Sequence, residues 1–209
     1  MTDPRPRLIQ LLTRFPERLV WAVFVLCMGF VSIAIMAGVA AISGTPFVFP
    51  SLGPTAILFF FHPMSPSASP RHALFGHAIG IVCGYGALLL LGLQHAGSEM
   101  SGSMSLRRLF AVALSLAATA FFMILLRVAH APAGATTMII SMGLITAPVH
   151  LAVIEMAVAL LCMQSFLFNR WVGVDYPIWV GPIDSVMEHV APYGRIRLEE
   201  QKEELRPRT

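Results

Sequence analysis

Four long apolar runs, almost free of charge, restrict this chain to the membrane. They extend over residues 19–42, 73–93, 109–126 and 149–168, and only the last of them holds a carboxylate, Glu155. A helix needs ~20 apolar residues to cross a hydrocarbon core of ~30 Å, so each run has a suitable length. Only 12% of the chain is charged, against about 25% in soluble domains. We therefore predict an all-α membrane protein with four long transmembrane helices.

The remaining charges lie mainly at the two ends of the chain. We predict a cytoplasmic N-terminal tail (1–18), a transmembrane domain (19–168) and a cytoplasmic C-terminal tail (169–209). Four arginines precede the first run, and the positive-inside tendency makes that side cytoplasmic. The first run is too long for a signal-peptide core, and no obvious transit peptide precedes it, so we expect a multi-pass protein of a bacterial plasma (inner) membrane. The net charge of +3 is small, which argues against nucleic-acid binding.

Two short segments broken by glycine and proline lie between these runs. The first reads FPSLGPTAILFFF, where only about residues 54–61 fit a helix; the second reads HAPAGATTMIISMGLITAP, where a helical stretch follows Gly134. Proline suits the first turn of a helix but not its interior. SLGPTA at 51–56 matches PAGATT at 132–137 in its glycine and hydroxyl residues. The order long, broken, long therefore occurs twice and predicts two three-element repeats.

The number of membrane crossings stays open at this point. If the short segments cross, the chain has six crossings and the second half is inverted, as in many secondary transporters. If they re-enter, it has four spans and parallel repeats. Arg107 and Arg108 would be cytoplasmic in the four-span alternative, which favours it slightly, whereas Arg71 and Arg127 argue the other way. Both alternatives place the two termini on the same side.

Irregular backbone at membrane depth must be buried in protein or line an aqueous cavity. Two helix starts, near Gly53 and Gly134, would present free N–H groups and partial positive charge to an anion. The predicted substrate-binding residues are Ser51, Gly53, Pro54, Thr55, Arg71, Arg127, His130, Gly134, Thr136 and Thr137. The alternatives are that the glycines permit close helix crossing and that the arginines reach out to the membrane edge.

Ionisable residues inside a bilayer are functional candidates, because burying their charge is costly. We predict proton-coupling roles for His62, His77 and Glu155. The alternatives are a histidine hydrogen-bonded between helices and an ion pair of Glu155 with His150 or an arginine. The sequence has no phosphate loop, nucleophile elbow or zinc-binding helix motif, so we expect no enzyme activity, no metal and no cofactor.

Gly76, Gly80 and Gly84 form a stripe of small residues on the second long run. Such a stripe lets another helix approach closely. Packing within the chain is the favoured interpretation, and contact with a second copy is the alternative. We also expect a homo-oligomer.

The motifs of the broken segments carry a resemblance to a known family. FPSLGPTAILFF, then SPSASPRHALFGH, then HAPAGATT, followed by FNRW and YPIW, resemble the HPP family of integral membrane proteins in the same order. The family's His-Pro-Pro motif reads His130-Ala131-Pro132 here. The resemblance implies four membrane spans with partly inserted short segments. Because plastid and cyanobacterial relatives are linked to nitrite transport, it also implies nitrite as the substrate.

The function predicted from the sequence is therefore transport of a small anion, through a transporter or channel whose site the two broken helices form. Nitrate, formate and organic sulfonates satisfy the same physical requirements as nitrite. The alternative is a non-transporting membrane scaffold or sensor, in which the broken helices serve packing and the tail recruits a partner. An aqueous cavity between the short segments would favour transport, and closely packed glycines there would favour the scaffold.

Overall fold

The computed structural model describes residues 11–98 and 104–179, which form six α-helices and one 3₁₀ turn. The elements are α1 (Glu17–Ser43), α2 (Leu52–Phe61), the 3₁₀ turn Pro66–Ala68, α3 (Pro70–Leu90), α4 (Leu106–Leu126), α5 (Ala133–Ser141) and α6 (Pro148–Val172). The four long helices are apolar enough to cross a membrane. They correspond to the four predicted runs, so the all-α membrane fold is confirmed. Residues 1–10 and 180–209 of the predicted tails lie outside the described residues.

Proline and glycine set the ends of these helices. Pro70 and Pro148 occupy the first positions of α3 and α6, where a missing N–H costs no intrahelical bond. Gly44 and Gly173 end α1 and α6 with φ of 64° and 93°, a left-handed conformation that glycine adopts without a steric penalty. Helix α2 begins at Leu52, two residues before the predicted start, because proline is tolerated within a first turn.

One end of the bundle holds the start of α1 and the end of α6, and we call it the proximal end. Phe24 of α1 packs edge to face on Phe60 of α2, with ring centroids 6.1 Å apart. The Asn169 side chain of α6 donates to the carbonyl of Phe59 at 3.2 Å. Helix α3 starts there as well, since only the turn from 62 to 69 separates it from α2. The proximal end therefore collects the start of α1, the end of α2, the start of α3 and the end of α6.

The opposite, distal end is held by Arg108 in the first turn of α4. Its Nη1 donates to the carbonyl of Ser141 at the end of α5, at 3.2 Å, and its Nη2 donates to the carbonyl of Gly97 after α3, at 2.9 Å. Helix α4 then returns to the proximal end, where the Nδ1 of His130, just beyond it, donates to the carbonyl of Ser67 at 2.7 Å. The segment between α4 and α6 consequently runs from the proximal end to the distal end.

Both short segments thus connect opposite ends of the bundle, and the chain follows the six-crossing alternative with inverted halves. The 10 residues of α2 cover only about 15 Å, so residues 44–51 complete that crossing without helix. The structure does not support the slight preference for four spans. That preference counted Arg108 as a loop charge, whereas Arg108 is fully buried and bonded to backbone carbonyls.

The small-residue stripe of α3 faces α5 in the same chain. The stripe consists of Gly76, Gly80 and Gly84. A Cβ added at Gly76 would lie 2.7 Å from the Cβ of His130, and one added at Gly80 would lie 2.9 Å from the carbonyl oxygen of Ala133. Both distances are shorter than van der Waals contact. The interpretation as internal helix packing is confirmed, and α3 and α5 run in the same direction.

Gly80→Ala should destabilise the protein, because its new methyl group would press against the backbone of α5. We expect a loss of about 1–3 kcal/mol of folding free energy, the usual cost of overpacking. Gly86→Ala, on the same helix with nothing within 4 Å of the added Cβ, is the matched control. Thermal unfolding of both purified variants in detergent checks this, and equal melting temperatures would contradict the packing described.

The six crossings place Met64 and His95, both exposed, at opposite ends of the bundle. In a background with Cys27, Cys83 and Cys162 replaced by alanine, we expect Met64→Cys to react with an impermeant maleimide from the side that exposes a C-terminal tag. His95→Cys should react from the other side. A four-span topology reverses both results, so the labelling pattern decides between the two.

Candidate functional site

Four polar side chains, three from helices and one from the segment before α5, meet inside the bundle, and we call them the polar cluster. They are Thr55 of α2, His77 of α3, His130 before α5 and Thr136 of α5, and each is fully buried. The His77 Nε2 lies 3.1 Å from the Thr55 hydroxyl, and its Nδ1 lies 2.7 Å from the Thr136 hydroxyl. The His130 Nε2 lies 3.3 Å from the same Thr55 hydroxyl. The structure therefore brings together four of the predicted site residues.

The hydrogen-bond partners of His130 determine its tautomer. A carbonyl oxygen can only accept, so the contact of His130 Nδ1 with the Ser67 carbonyl requires a proton on Nδ1. In the neutral ring, Nε2 then carries the lone pair and accepts from Thr55. The Thr55 hydroxyl has one proton and two acceptors within reach, the carbonyl of Ser51 at 3.0 Å and His130 Nε2 at 3.3 Å.

The polar cluster lies where the two short helices begin. Thr55 is the fourth residue of α2 and Thr136 is the fourth residue of α5. The start of α5 contacts Gly80, which is halfway along α3, and α2 starts about 15 Å from the proximal end. Because the two short helices run in opposite directions, their N-terminal partial positive charges converge near the middle of the bundle. The first N–H groups of α5 already donate to the carbonyls of the preceding turn, residues 130–132.

Ser51 adds a hydroxyl group at the start of α2. It is fully buried, and its side-chain oxygen has no hydrogen-bond partner among the described residues. Leaving a buried hydroxyl unpaired costs about 1–3 kcal/mol. This predicted site residue is thus an available hydrogen-bond donor beside the polar cluster.

Thr137 lies next to the polar cluster but bonds to a different helix. Its hydroxyl is 2.9 Å from that of Thr119 on α4, and the Thr119 hydroxyl donates to the carbonyl of Ser115 at 2.8 Å. All three side chains are fully or almost fully buried. Thr137 therefore joins α5 to α4.

The other small residues predicted for the site do not line the polar cluster closely. Gly53 is half-buried with open space around an added Cβ, and Pro54 is exposed. An added Cβ at Gly134 would contact Leu116 of α4 at 3.4 Å. These residues shape the helix starts, and the hydroxyls and imidazoles provide the polar groups.

The two predicted arginines lie at the proximal end. Arg71 is half-buried and its backbone N–H donates to the carbonyl of Trp179 at 3.0 Å. Arg127 is exposed and ends α4 with φ of 54°. Within the described residues, neither guanidinium has a hydrogen bond to the polar cluster. Their predicted part in anion binding stays a prediction.

Two of the three predicted proton-coupling residues lie outside the polar cluster. His62 is exposed and contacts the ring of Phe61, with centroids 4.4 Å apart. Glu155 of α6 is half-buried, and its Oε2 has no hydrogen-bond partner among the described residues. The one ion pair found in that part of the chain joins Arg170 and Asp175. The alternative of a structural ion pair for Glu155 therefore finds no support.

Sequence reasoning missed the roles of two buried polar residues, His72 near the polar cluster and Arg108 at the distal end. His72 is 7% exposed, and its Nδ1 lies 2.7 Å from the hydroxyl of Ser69, three residues earlier at the cap of α3. This bond could have been predicted from the sequence, because a serine at the start of a helix lies three residues before a histidine. Arg108 had no such signal, because its carbonyl partners are 11 to 33 residues away in sequence.

The segment after α6 covers the proximal side of the polar cluster. The Tyr176 hydroxyl donates to the carbonyl of Ala68, and the Arg170 Nε donates to the carbonyl of Tyr176 at 2.9 Å. The Phe59 ring lies between Tyr176 and His130, with its centroid 6.2 Å from each of theirs. Burial raises the pKa of Tyr176, which keeps its hydroxyl a donor. The FNRW and YPIW motifs thus close this end of the site.

Arg108→Gln should be strongly destabilising, because it leaves three carbonyl groups in two segments, those of Ser141 and of residues 96 and 97, without their cationic donor. We expect a loss on the order of 3 kcal/mol. Arg107→Gln, which removes an adjacent exposed guanidinium, is the control and should change stability little. Melting temperatures of the purified proteins measure the difference. A similar small effect of both substitutions would show that Arg108 does not hold the distal end together.

Comparison with known proteins agrees with this architecture. No curated protein and no solved structure matches the chain. The family model described as the HPP transmembrane region matches residues 15–177, well over half of the chain. That range includes all six helices and the residues of the polar cluster. The chain therefore belongs to the HPP family of integral membrane proteins.

Proposed function

We propose that this protein is a membrane transporter or channel for a small inorganic anion, with nitrite as the first candidate. The observation that carries the proposal is the convergence of two oppositely directed helix starts on a buried polar cluster. Discontinuous helices in inverted repeats form the substrate sites of many secondary transporters. The proposal is one of transport and involves no enzyme reaction.

The donors around the helix starts suit a monovalent anion. The Ser51 hydroxyl is free to donate, and the positive ends of the α2 and α5 helix dipoles add partial positive charge. Within the described residues, no guanidinium is hydrogen-bonded to the polar cluster. A multiply charged anion would need such a fixed cation to offset its loss of water, whereas nitrite, nitrate or formate carries a single charge. We therefore place the anion between Ser51 and Thr136.

Passage requires the polar cluster to open. Thr55, His77, His130 and Thr136 are all fully buried and bonded to one another, so the described state is closed at this point. Opening would separate a short helix from α3 and exchange these bonds for bonds to the anion. In this proposal the short helices move and the long helices provide the frame.

The membrane setting follows the same proposal. With both termini cytoplasmic in a bacterial inner membrane, an anion taken up works against a negative-inside potential by about 2.3 kcal/mol per 100 mV. A proton moving with the anion cancels this charge. Large apolar side chains such as Leu26, Phe30 and Ile42 are exposed along α1, and lipid or a second copy of the chain would cover them.

A second candidate function is a non-transporting scaffold. The close packing of Gly76, Gly80 and Gly84 against α5 favours it, because tight helix contact is what a purely structural role requires. The unpaired Ser51 hydroxyl favours transport, since a scaffold gains nothing from a buried hydroxyl without a partner. A flux measurement separates the two.

Ser51→Ala should weaken anion transport without destabilising the protein, because the hydroxyl that it removes has no partner in the closed state. We expect the apparent KM for nitrite uptake into proteoliposomes to rise about 10-fold, the effect of one hydrogen bond to a charged ligand. Ser32→Ala is the matched control, since Ser32 is equally buried and unpaired but lies on α1.

Nitrate and formate are tested as competitors in the same assay, with size-exclusion profiles to check folding. If folded wild-type protein moves none of these anions, the scaffold becomes the better proposal. If wild type transports but Ser51→Ala and Ser32→Ala behave alike, the anion does not bind at the start of α2.

A further inference from the structure

We infer that the polar cluster is a proton relay, in which His77, Thr55 and His130 pass a proton between the anion site at Thr136 and the proximal end at the Ser67 carbonyl. This inference rests on the proposed function and goes beyond it, because it names the path of the coupled proton. Of the residues predicted to couple protons, only His77 lies on the path; Thr55 and His130 are added to it.

The relay is continuous in the described geometry. The Thr136 hydroxyl lies 2.7 Å from His77 Nδ1, and His77 Nε2 lies 3.1 Å from the Thr55 hydroxyl. The Thr55 hydroxyl lies 3.3 Å from His130 Nε2, and His130 Nδ1 lies 2.7 Å from the Ser67 carbonyl. Each step is within hydrogen-bond reach, and the two imidazole centroids are 5.1 Å apart.

The fixed end of the relay orders all its donors. Because the Ser67 carbonyl can only accept, Nε2 of neutral His130 is an acceptor. In the conducting orientation, the Thr55 hydroxyl turns from the Ser51 carbonyl and donates to that nitrogen. Thr55 then accepts from His77 Nε2–H, which leaves His77 Nδ1 to accept from Thr136. Every donor in the chain therefore points from Thr136 towards Ser67.

This order allows one proton to move along the relay while Thr136, His77 and Thr55 all stay neutral. As a proton reaches the Thr136 oxygen, the Thr136 proton passes to His77 Nδ1 and the Nε2 proton of His77 passes to Thr55. The former Thr55 proton passes to His130 Nε2, so one O–H or N–H bond breaks and one forms at each step. The result is a His130 imidazolium, whose Nδ1–H is bonded to the Ser67 carbonyl. When that contact opens, the Nδ1 proton passes to water at the proximal end, and neutral His130 remains.

Thr55 acts as the switch of the relay. When His130 is an imidazolium, its Nε2 is a donor, so the Thr55 hydroxyl must turn to its other acceptor, the Ser51 carbonyl at 3.0 Å. In that orientation the step from Thr55 to His130 is blocked until the proton leaves. The helical backbone of α2 thus offers a resting position that prevents a second transfer.

The neighbouring groups keep the transferred charge short-lived. His130 faces His77 and His72, and the ring of Phe59 separates it from Tyr176. Within the described residues, no carboxylate is hydrogen-bonded to either ring of the relay. The carboxylates of the long helices are Glu17, the first residue of α1, and Glu155 on α6. An imidazolium there lacks a permanent counter-ion. An anion bound at the helix starts supplies that charge, which couples proton and anion.

His77→Gln tests the relay, since glutamine can donate to Thr55 and accept from Thr136 but cannot pass a proton on. Two fluxes are measured in proteoliposomes: exchange of internal for external nitrite, and uptake driven by a pH gradient with an internal pH dye. We expect gradient-driven uptake and internal acidification to fall at least about 10-fold more than exchange does. Undiminished acidification in His77→Gln would overturn the relay.

Thr55 provides a second, independent test. Thr55→Ser keeps a hydroxyl and should retain proton movement, whereas Thr55→Val, of nearly the same size, should lose it. Thr119→Val is the control, because Thr119 is a buried hydroxyl outside the relay. If wild type moves no anion, the proposed function fails; if it moves anions with no acidification, or Thr55→Val still acidifies, only the relay fails.

Discussion

The close approach of α3 to α5 is the contact on which the rest of the structure depends. Gly76 and Gly80 remove the side chains that would otherwise hold the two helices apart. Only at that distance can His77 reach the first turn of α5 while it also contacts α2. The same contact buries the irregular backbone before α5, which could not face lipid with unpaired polar groups. Packing and the candidate site therefore have one physical origin.

The two halves are alike in backbone and different in chemistry. Thr55 and Thr136 occupy the same position of the two short helices. Counted from the first prolines of α3 and α6, His77 in the first half corresponds to Glu155 in the second. His77 joins the polar cluster, whereas Glu155 Oε2 has no partner within the described residues. The inverted repeat thus provides a symmetric frame with an asymmetric pair of ionisable groups.

Local signals in the sequence were sufficient to predict the helices. Contacts between residues far apart in the chain could not be predicted from it. Run length and proline positions predicted the four long helices and the two broken ones. Ser51, Thr55 and Thr136 could be proposed because they follow the breaks directly. The role of Arg108 could not, because loop-charge counting assumes an arginine in water, and here the guanidinium is bonded to backbone carbonyls. The same rule misled the choice between four and six crossings.

The shortness of α2 and α5 has a consequence for how the protein is made. With 10 and 9 residues, neither helix is long enough to partition into a bilayer on its own. The non-helical backbone on either side of them can lie at membrane depth only when neighbouring helices surround it. Because α5 rests on both α3 and α4, its crossing can be completed only after these helices are inserted. The topology of this chain is therefore reached late in biogenesis, by assembly of helices already in the membrane and not by insertion of one span after another.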